Sequence, residues 1–415
     1  MSNKINISFF IANKIAFHKK KSFSSFIVKI AIIAIALSTS VMIIGTAITK
    51  GYQKVISQKF YNCWGEIHIT NFLPDPTHIL NDEKFDRDSI LIRKLAALKE
   101  VKSVHTYSIQ SCLLKTEESM ESILLKGLDN SESQLLSPEY LIEGKKISFE
   151  KDTFAQEIIL SKATADKLQL KVNDRVIIYF LHKNEYQPKA RKVQIVGIYR
   201  TGLEDYDNHF ILCDGRLINH INNDSSQKIQ GYEIYLHNHE TTEAVEKNIF
   251  ENYIDAPLQT YPIEKRFANI FSWLNMMKMN EVIIILIMLI IAVINMITAL
   301  LILIMERTQM IGILKSLGMP NAGIRNIFLY ISFYIISAGV LIGTFLGIGL
   351  CFLQTCFGII SLDEAVYYVD KVPIHLDPIT VVCVIVGTIL ICLSLLLIPI
   401  YIIRTILPTK ALKFN

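Results

Sequence analysis

The run Val282–Met305 holds 24 consecutive residues without an Asp, Glu, Lys or Arg. As an α-helix it is about 36 Å long at 1.5 Å per residue, more than the roughly 30 Å of a bilayer's hydrocarbon core. A water-soluble core rarely buries so long a stretch on every side, so this run constrains the chain more than any other feature. Three more runs are long and apolar enough to span: Ile30–Thr49, about Ile327–Phe357 and Ile379–Ile403. Composition agrees, with 51% hydrophobic and 19% charged residues among 415, and a mean hydropathy of +0.36.

Lysine and arginine near the span ends orient such a chain. Lys4, Lys14, Lys19, Lys20 and Lys21 precede the first run, Arg307, Lys315 and Arg325 sit between the second and third, and Arg404, Lys410 and Lys413 follow the fourth. The third-to-fourth connection instead carries Asp363, Glu364, Asp370 and Asp377 against a single Lys371. Both termini are therefore expected in the cytoplasm. The expected division is a cytoplasmic segment 1–29, spans at 30–49, 282–305, 327–357 and 379–403, an extracytoplasmic domain 50–281, a cytoplasmic link 306–326, an outer loop 358–378 and a cytoplasmic tail 404–415. A cleaved secretory signal also begins with a basic run such as Lys19–Lys21. Its apolar core is about 7–15 residues, shorter than the first run, and three spans would remain to orient. Lys29, at the span edge, can reach the headgroups.

Residues 51–280 alternate strand and helix patterns, so an α+β domain inserted between the first two spans is expected. "WGEIHIT" alternates as a half-buried strand does, and "ESILLKGL", "RVIIYFL" and "KVQIVGIY" are further strands. "SILIRKLAALKEV" (Ser89–Val101) has helical spacing, and Ser161 is placed to cap a helix in "SKATADKLQL".

Catalytic patterns are missing: there is no GxSxG, no HExxH and no Ser/His/Asp constellation. Gly144-Lys145 lacks the earlier glycine of a phosphate-binding loop, since Glu139 stands there. Any nucleotide must then be bound by another chain. "EDYDNH" (Glu204–His209) lacks the spaced oxygen ligands and glycine of a calcium loop and reads as a solvated turn. No Cys/His spacing suggests a metal, and Cys63, Cys112 and Cys213 supply one disulfide at most. The net charge of +4, from 42 basic and 38 acidic residues, gives no reason to invoke nucleic acid. In the third span Gly339, Gly343 and Gly347 leave one helix face nearly bare, a helix-packing stripe, and Pro399 is expected to kink the fourth.

The order of these parts resembles the FtsX-like/MacB-like permeases of ABC transporters, and among them the LolC/LolE lipoprotein-releasing branch. "FFIANKIAFHKKKSFSSFIVKIAIIAIALS" is similar to that branch's amphipathic, basic entry into the first span. "IILSKATADKLQLKVNDRVIIYF" with "VQIVGIYRTGLEDYDNHFILCD" resembles its helix and strand patterns. "MERTQMIGILKSLGMPNAGIRNIF" resembles "E-[RK]-T-x-x-I-x-[IL]-L-[RK]-x-[LM]-G", and "ILPTKALKFN" the family's closing "xP-x-x-A-L". The resemblance covers nearly the whole chain, with an FtsX-like region at about 280–408.

The resemblance implies a non-catalytic permease of the bacterial inner membrane with its large domain in the periplasm. It also implies a second permease chain, equal or different, and a LolD-like ATPase that carries ATP and magnesium. The cargo would be lipoprotein drawn from membrane lipid and passed to a periplasmic carrier. The family's carrier hook corresponds to Leu181–Lys192, which is short and has one proline. Macrolide-efflux (MacB-type) exporters and FtsX-type signalling permeases share the four-span plan and remain alternatives.

Met310, Ile313, Leu314 and Leu317 fall at helical spacing, so the 306–326 link reads as a short helix with one apolar stripe, ended by Gly318 and Pro320. On residue physics alone an interfacial helix fits as well. The resemblance implies an ATPase-coupling helix with Glu306, Arg307, Met310, Gly312, Ile313, Leu314, Lys315, Leu317 and Gly318. Ser38, Thr39, Ser40, Asn295 and Thr298 are expected to face cargo or, equally, to pack helices.

Overall fold

The computed structural model describes residues 23–397 except 76, 78–79, 81–82, 117–118, 131–132, 150–153, 181–188 and 226. The basic N-terminal run, residues 181–188 of the Leu181–Lys192 stretch, Pro399 and the tail motif lie outside them. The chain forms two compact units. One comprises residues 1–54, 274–361 and 371–415, the other 55–273 and 362–370.

Helix α1 (Phe23–Trp64) contains the first expected span and runs on well beyond it. The absence of charge marks only the apolar part of a helix. Backbone hydrogen bonding continues past Lys50 to Gly65, whose φ of +71° ends it. A Cβ there would lie 2.9 Å from the Ile234 carbonyl oxygen, so glycine lets the chain turn directly into the sheet.

Within 55–273 the elements run β1 (Ile67–Asn71), β2 (Phe85–Asp86), α2 (Ser89–Ala96), β3 (Val101–Lys115), β4 (Met120–Leu128), β5 (Leu141–Gly144), β6 (Glu157–Ser161) and α3 (Lys162–Leu168). They continue with β7 (Arg175–Phe180), β8 (Lys189–Tyr199), α4 (Glu204–His209), β9 (Phe210–Asp214), α5 (Gly215–Asn222), β10 (Lys228–Ile229), β11 (Gly231–Leu236), α6 (Thr242–Asn252), β12 (Leu258–Pro262) and α7 (Ile263–Arg266). Two lobes share β3. Its first half lies in an antiparallel sheet of order β12-β1-β11-β3, which with α2 and α6 is a ferredoxin-like βαββαβ arrangement. The second half of β3 pairs with both β4 and β7. The ring β3-β4-β9-β6-β8-β7 thereby closes on itself as a barrel with no free edge among these strands. The barrel is inserted between the second and third strands of the ferredoxin-like lobe. Ile123, Leu125, Ile158, Leu160, Ile178, Phe180, Ile195 and Ile211 fill its core.

Several local expectations change. β1 is buried on both faces, with His68 and Thr70 as fully covered as Ile67 and Ile69, because β11 and β12 flank it within a covered sheet. The helix expected over Ser89–Val101 stops at Ala96, and Val101 opens β3. "EDYDNH" is helix α4 and not a solvated turn: Asp207 is buried and accepts from the Thr201 and Gly202 amides and the Thr201 hydroxyl. Ser161 does cap α3, accepting from the Thr164 amide at 3.1 Å. Cys63, Cys112 and Cys213 are free and buried.

The remaining helices are the long α8 (Ala268–Glu306), the short α9 (Thr308–Ser316), the long α10 (Asn321–Phe357), the short α11 (Glu364–Tyr367) and α12 (Pro378–Leu395). Among the described residues four helices, α1, α8, α10 and α12, are long and apolar enough to cross a membrane. Together with α9 they share a core of Ile35, Met296, Leu303, Ile311, Ile324, Phe328, Ile336 and Cys392. Val282, Ile283, Leu286, Ile287, Ile290 and Ile294 of α8 stay exposed, as on a helix apolar all round. The chain is thus a four-span membrane protein with a large α+β domain inserted between the first and second spans.

Candidate functional site

The link between α8 and α10 is built from one short helix and one capped turn. Ile311 is fully buried in the membrane-unit core, with Gly312 buried beside it and Met310 and Leu314 half-buried against the same core. The apolar residues therefore do not form the single stripe expected. At 100° per residue, Ile311 fixes the inward direction and turns Ile313 and Leu317 away from it. Ile313 is 51% exposed and Leu317 78%, and Met305, before the link, is 76% exposed. Gly318, at φ +84°, closes α9: its amide donates to the Lys315 carbonyl and that of Met319 to the Leu314 carbonyl, both at 3.0 Å. These are the two bonds of a Schellman cap, and Pro320 then stands as N-cap of α10. Two large aliphatic side chains are thus held out on a locally rigid turn, with Glu306 exposed, Arg307 half-buried and Lys315 half-buried around them.

The glycine stripe lies on α1. A Cβ at Gly343 would stand 2.4 Å from the Ala36 carbonyl oxygen, one at Gly339 2.8 Å from Ile35 Cβ, and one at Gly347 3.2 Å from Ile43 Cβ. Ser38, Thr39 and Ser40 are buried, and the Thr39 hydroxyl donates to the Ile35 carbonyl within its own helix. Thr39 is thereby satisfied within its own helix. Thr298 is exposed and Asn295 half-buried on α8.

A second constellation, which the residue patterns did not announce, lies where the domain receives α1 and releases α8. Ile67 of β1 pairs with Pro262 of β12, so the end of α1 and the start of α8 are attached to neighbouring strands. Phe60 packs on Phe267 and Phe271, with centroids 5.2 and 5.9 Å apart. Lys126 of β4 is fully buried, donates to the Cys63 carbonyl at 2.8 Å, pairs with Glu233 of β11 at 2.6 Å and stands 4.1 Å over the Trp64 ring. One ammonium thus caps the C-terminal end of α1 and ties the barrel to the ferredoxin-like lobe. Burial raises the Glu233 carboxyl above its ordinary range, and Lys126 opposes that shift. Beside it, His68 Nε2 lies 2.6 Å from the Trp64 carbonyl, which requires Nε2–H. Its Nδ1 faces Arg266 Nη1 at 3.0 Å and so accepts. This is the neutral tautomer, and burial followed by the Arg266 charge lowers the imidazole well below 6.5. The one sequence signal was Lys126 itself, an amine on the same strand face as Leu124 and Leu128.

The family model of the MacB-like periplasmic core domain matches residues 30–250, and that of the FtsX-like permease C-terminal matches 282–408. The lipoprotein-releasing system transmembrane protein LolC of Neisseria meningitidis is 24% identical over 378 residues, covering 86% of this chain and 87% of that one. The corresponding LolE of Haemophilus influenzae is 23% identical over 415 residues, covering 95% and 96%. Among solved structures, the extracellular domain of the ABC-type transporter YknZ from Gram-positive bacteria aligns with TM-score 0.33 and 13% identity, over 47% of this chain and 98% of that one. The periplasmic region of MacB from Actinobacillus actinomycetemcomitans aligns with TM-score 0.35 and 11% identity, over 52% and 98%. With the core-domain match spanning more than half of its length and the permease match following it, the chain belongs to the FtsX-like/MacB-like ABC transporter permeases and resembles their LolC/LolE branch.

Proposed function

We propose that this chain is the non-catalytic permease subunit of an ABC transporter that extracts lipoproteins from the bacterial inner membrane for sorting to the outer membrane. ATP and magnesium are bound by a separate LolD-like ATPase, and a second permease chain completes the pair. The observation that carries this reading is the capped α9 turn with Ile313 and Leu317 held outward. Exposed aliphatics on a rigid turn cost solvation unless a partner covers them. Both termini and this turn face the cytoplasm in the proposed orientation, and the α+β domain faces the periplasm.

Nucleotide-driven movement of the ATPase displaces α9, and α8 carries the displacement outward. It is one unbroken helix of 39 residues, about 58 Å long, joined to β12 through α7. Acyl chains of the cargo meet the exposed apolar side of α8, around Leu286, Ile290 and Thr298, and not Ser38, Thr39 or Ser40. A periplasmic carrier receives the released lipoprotein. Depleting the protein and following acylated lipoproteins between the two membranes tests the cargo: retention in the inner membrane is expected. Unchanged sorting contradicts the lipoprotein reading and favours a MacB-type exporter or an FtsX-type signalling permease.

A further inference from the structure

The connection between α10 and α12 leaves the unit to which both helices belong. Residues 362–370 are part of the domain's compact unit, while 361 and 371 on either side are not. The loop is closed at its neck by the Ser361–Lys371 bridge and by the Leu362 amide donating to the Asp370 carbonyl at 2.9 Å. Within it, α11 is held by the Tyr368 amide donating to the Glu364 carbonyl at 2.9 Å. The loop is therefore a small folded body on a two-strand neck.

Its contacts in the domain unit converge on one cluster. Lys59, on the last turns of α1, donates to the Tyr368 carbonyl at 2.8 Å and the Gly202 carbonyl at 3.4 Å, and stands 3.8 Å from Glu364. Glu364 also accepts from the Arg200 guanidinium. A Cβ on Gly202, whose φ is +71°, would fall 2.3 Å from both Glu364 Oε1 and Lys59 Nζ, so glycine permits this closure. Arg200 is 52% exposed, which makes its ion pair weak. A cavity of about 320 Å³ lined by Arg200, Glu204, Asp207 and Glu364 lies alongside and can admit water to the same charges. The contacts are numerous enough to seat the loop, and the exposed Arg200 pair and the adjoining cavity give water a way in.

We propose that Leu362–Asp370 is a reversible latch. Seated, it fastens the connection between the third and fourth spans to the domain that α1 and α8 already hold, through Lys59, Arg200 and Glu364. It opens locally, without unfolding the domain. Hydrogen–deuterium exchange on the full-length chain in lipid nanodiscs tests this without the partner ATPase, so the outcome is independent of the proposed transport. In the unaltered protein the Leu362 and Tyr368 amides are expected to exchange at least about tenfold more slowly than in an unstructured peptide. Glu364→Gln, and separately Lys59→Met, should speed them about fivefold or more while the barrel amides of Ile158–Leu160 stay unchanged. Rapid exchange in the unaltered loop would overturn the latch. So would protection that neither substitution alters, or opening of loop and barrel together.

Discussion

At the residue scale, the buried Lys126–Glu233 pair decides how α1 is held. Removing one partner strands the other charge away from water, so Lys126→Met should destabilise the chain by about 3–5 kcal/mol in thermal unfolding of the detergent-solubilised protein. Lys126→Met combined with Glu233→Leu should recover most of that loss, because no uncompensated charge remains. His68 adds a pH dependence of definite sign. Its folded-state value lies well below 6.5, so its contribution is present above about pH 6.5 and is lost as pH falls from there toward the folded value. Each unit of pH inside that window costs about 1.4 kcal/mol. The difference in stability between the unaltered chain and His68→Gln should therefore shrink as pH falls below 6.5. Glu66, Glu233 and Asp207 are raised by burial and act with the opposite sign, losing stability as pH rises. They are common to both proteins and cancel in the difference.

At the element scale, the turn Leu317–Pro320 and the α1–α10 contact are both set by glycines. Gly318→Ala has room for its methyl but not the backbone conformation, so it should cost about 1 kcal/mol in the same unfolding assay and loosen α9. Gly343→Leu forces α1 away from α10 and should cost about 1–3 kcal/mol or more. Much at this scale was legible in advance. Four spans, the strands "RVIIYFL" and "KVQIVGIY", the Ser161 cap and the Gly318 stop follow from period, charge and turn chemistry. Helix ends were not, because α1 and α8 run on as helices through polar residues that no bilayer criterion includes. The orientation of α9 was hidden for a related reason. Two apolar sets, one inward and one outward, overlap within nine residues, and only the position of Ile311 against the core separates them. The ion pair at the end of α1 joins residues from three distant segments, which no local pattern encodes.

At the scale of the whole molecule, the proposed coupling to an ATPase would have to pass work through the chain's own backbone. Long unbroken helices, a domain that takes α1 and α8 on adjacent strands, and one outward apolar turn are the parts this requires. Ile313 and Leu317 are where the proposed ATPase would take hold. The direct measurement is co-purification of the ATPase with the full-length chain carrying Leu317→Asp or Ile313→Asp, with thermal unfolding as the control for folding. Both side chains are exposed, so unfolding should stay near that of the unaltered chain, while retained ATPase should fall about tenfold or more. Full retention of the ATPase by both folded variants would contradict the coupling role of this turn.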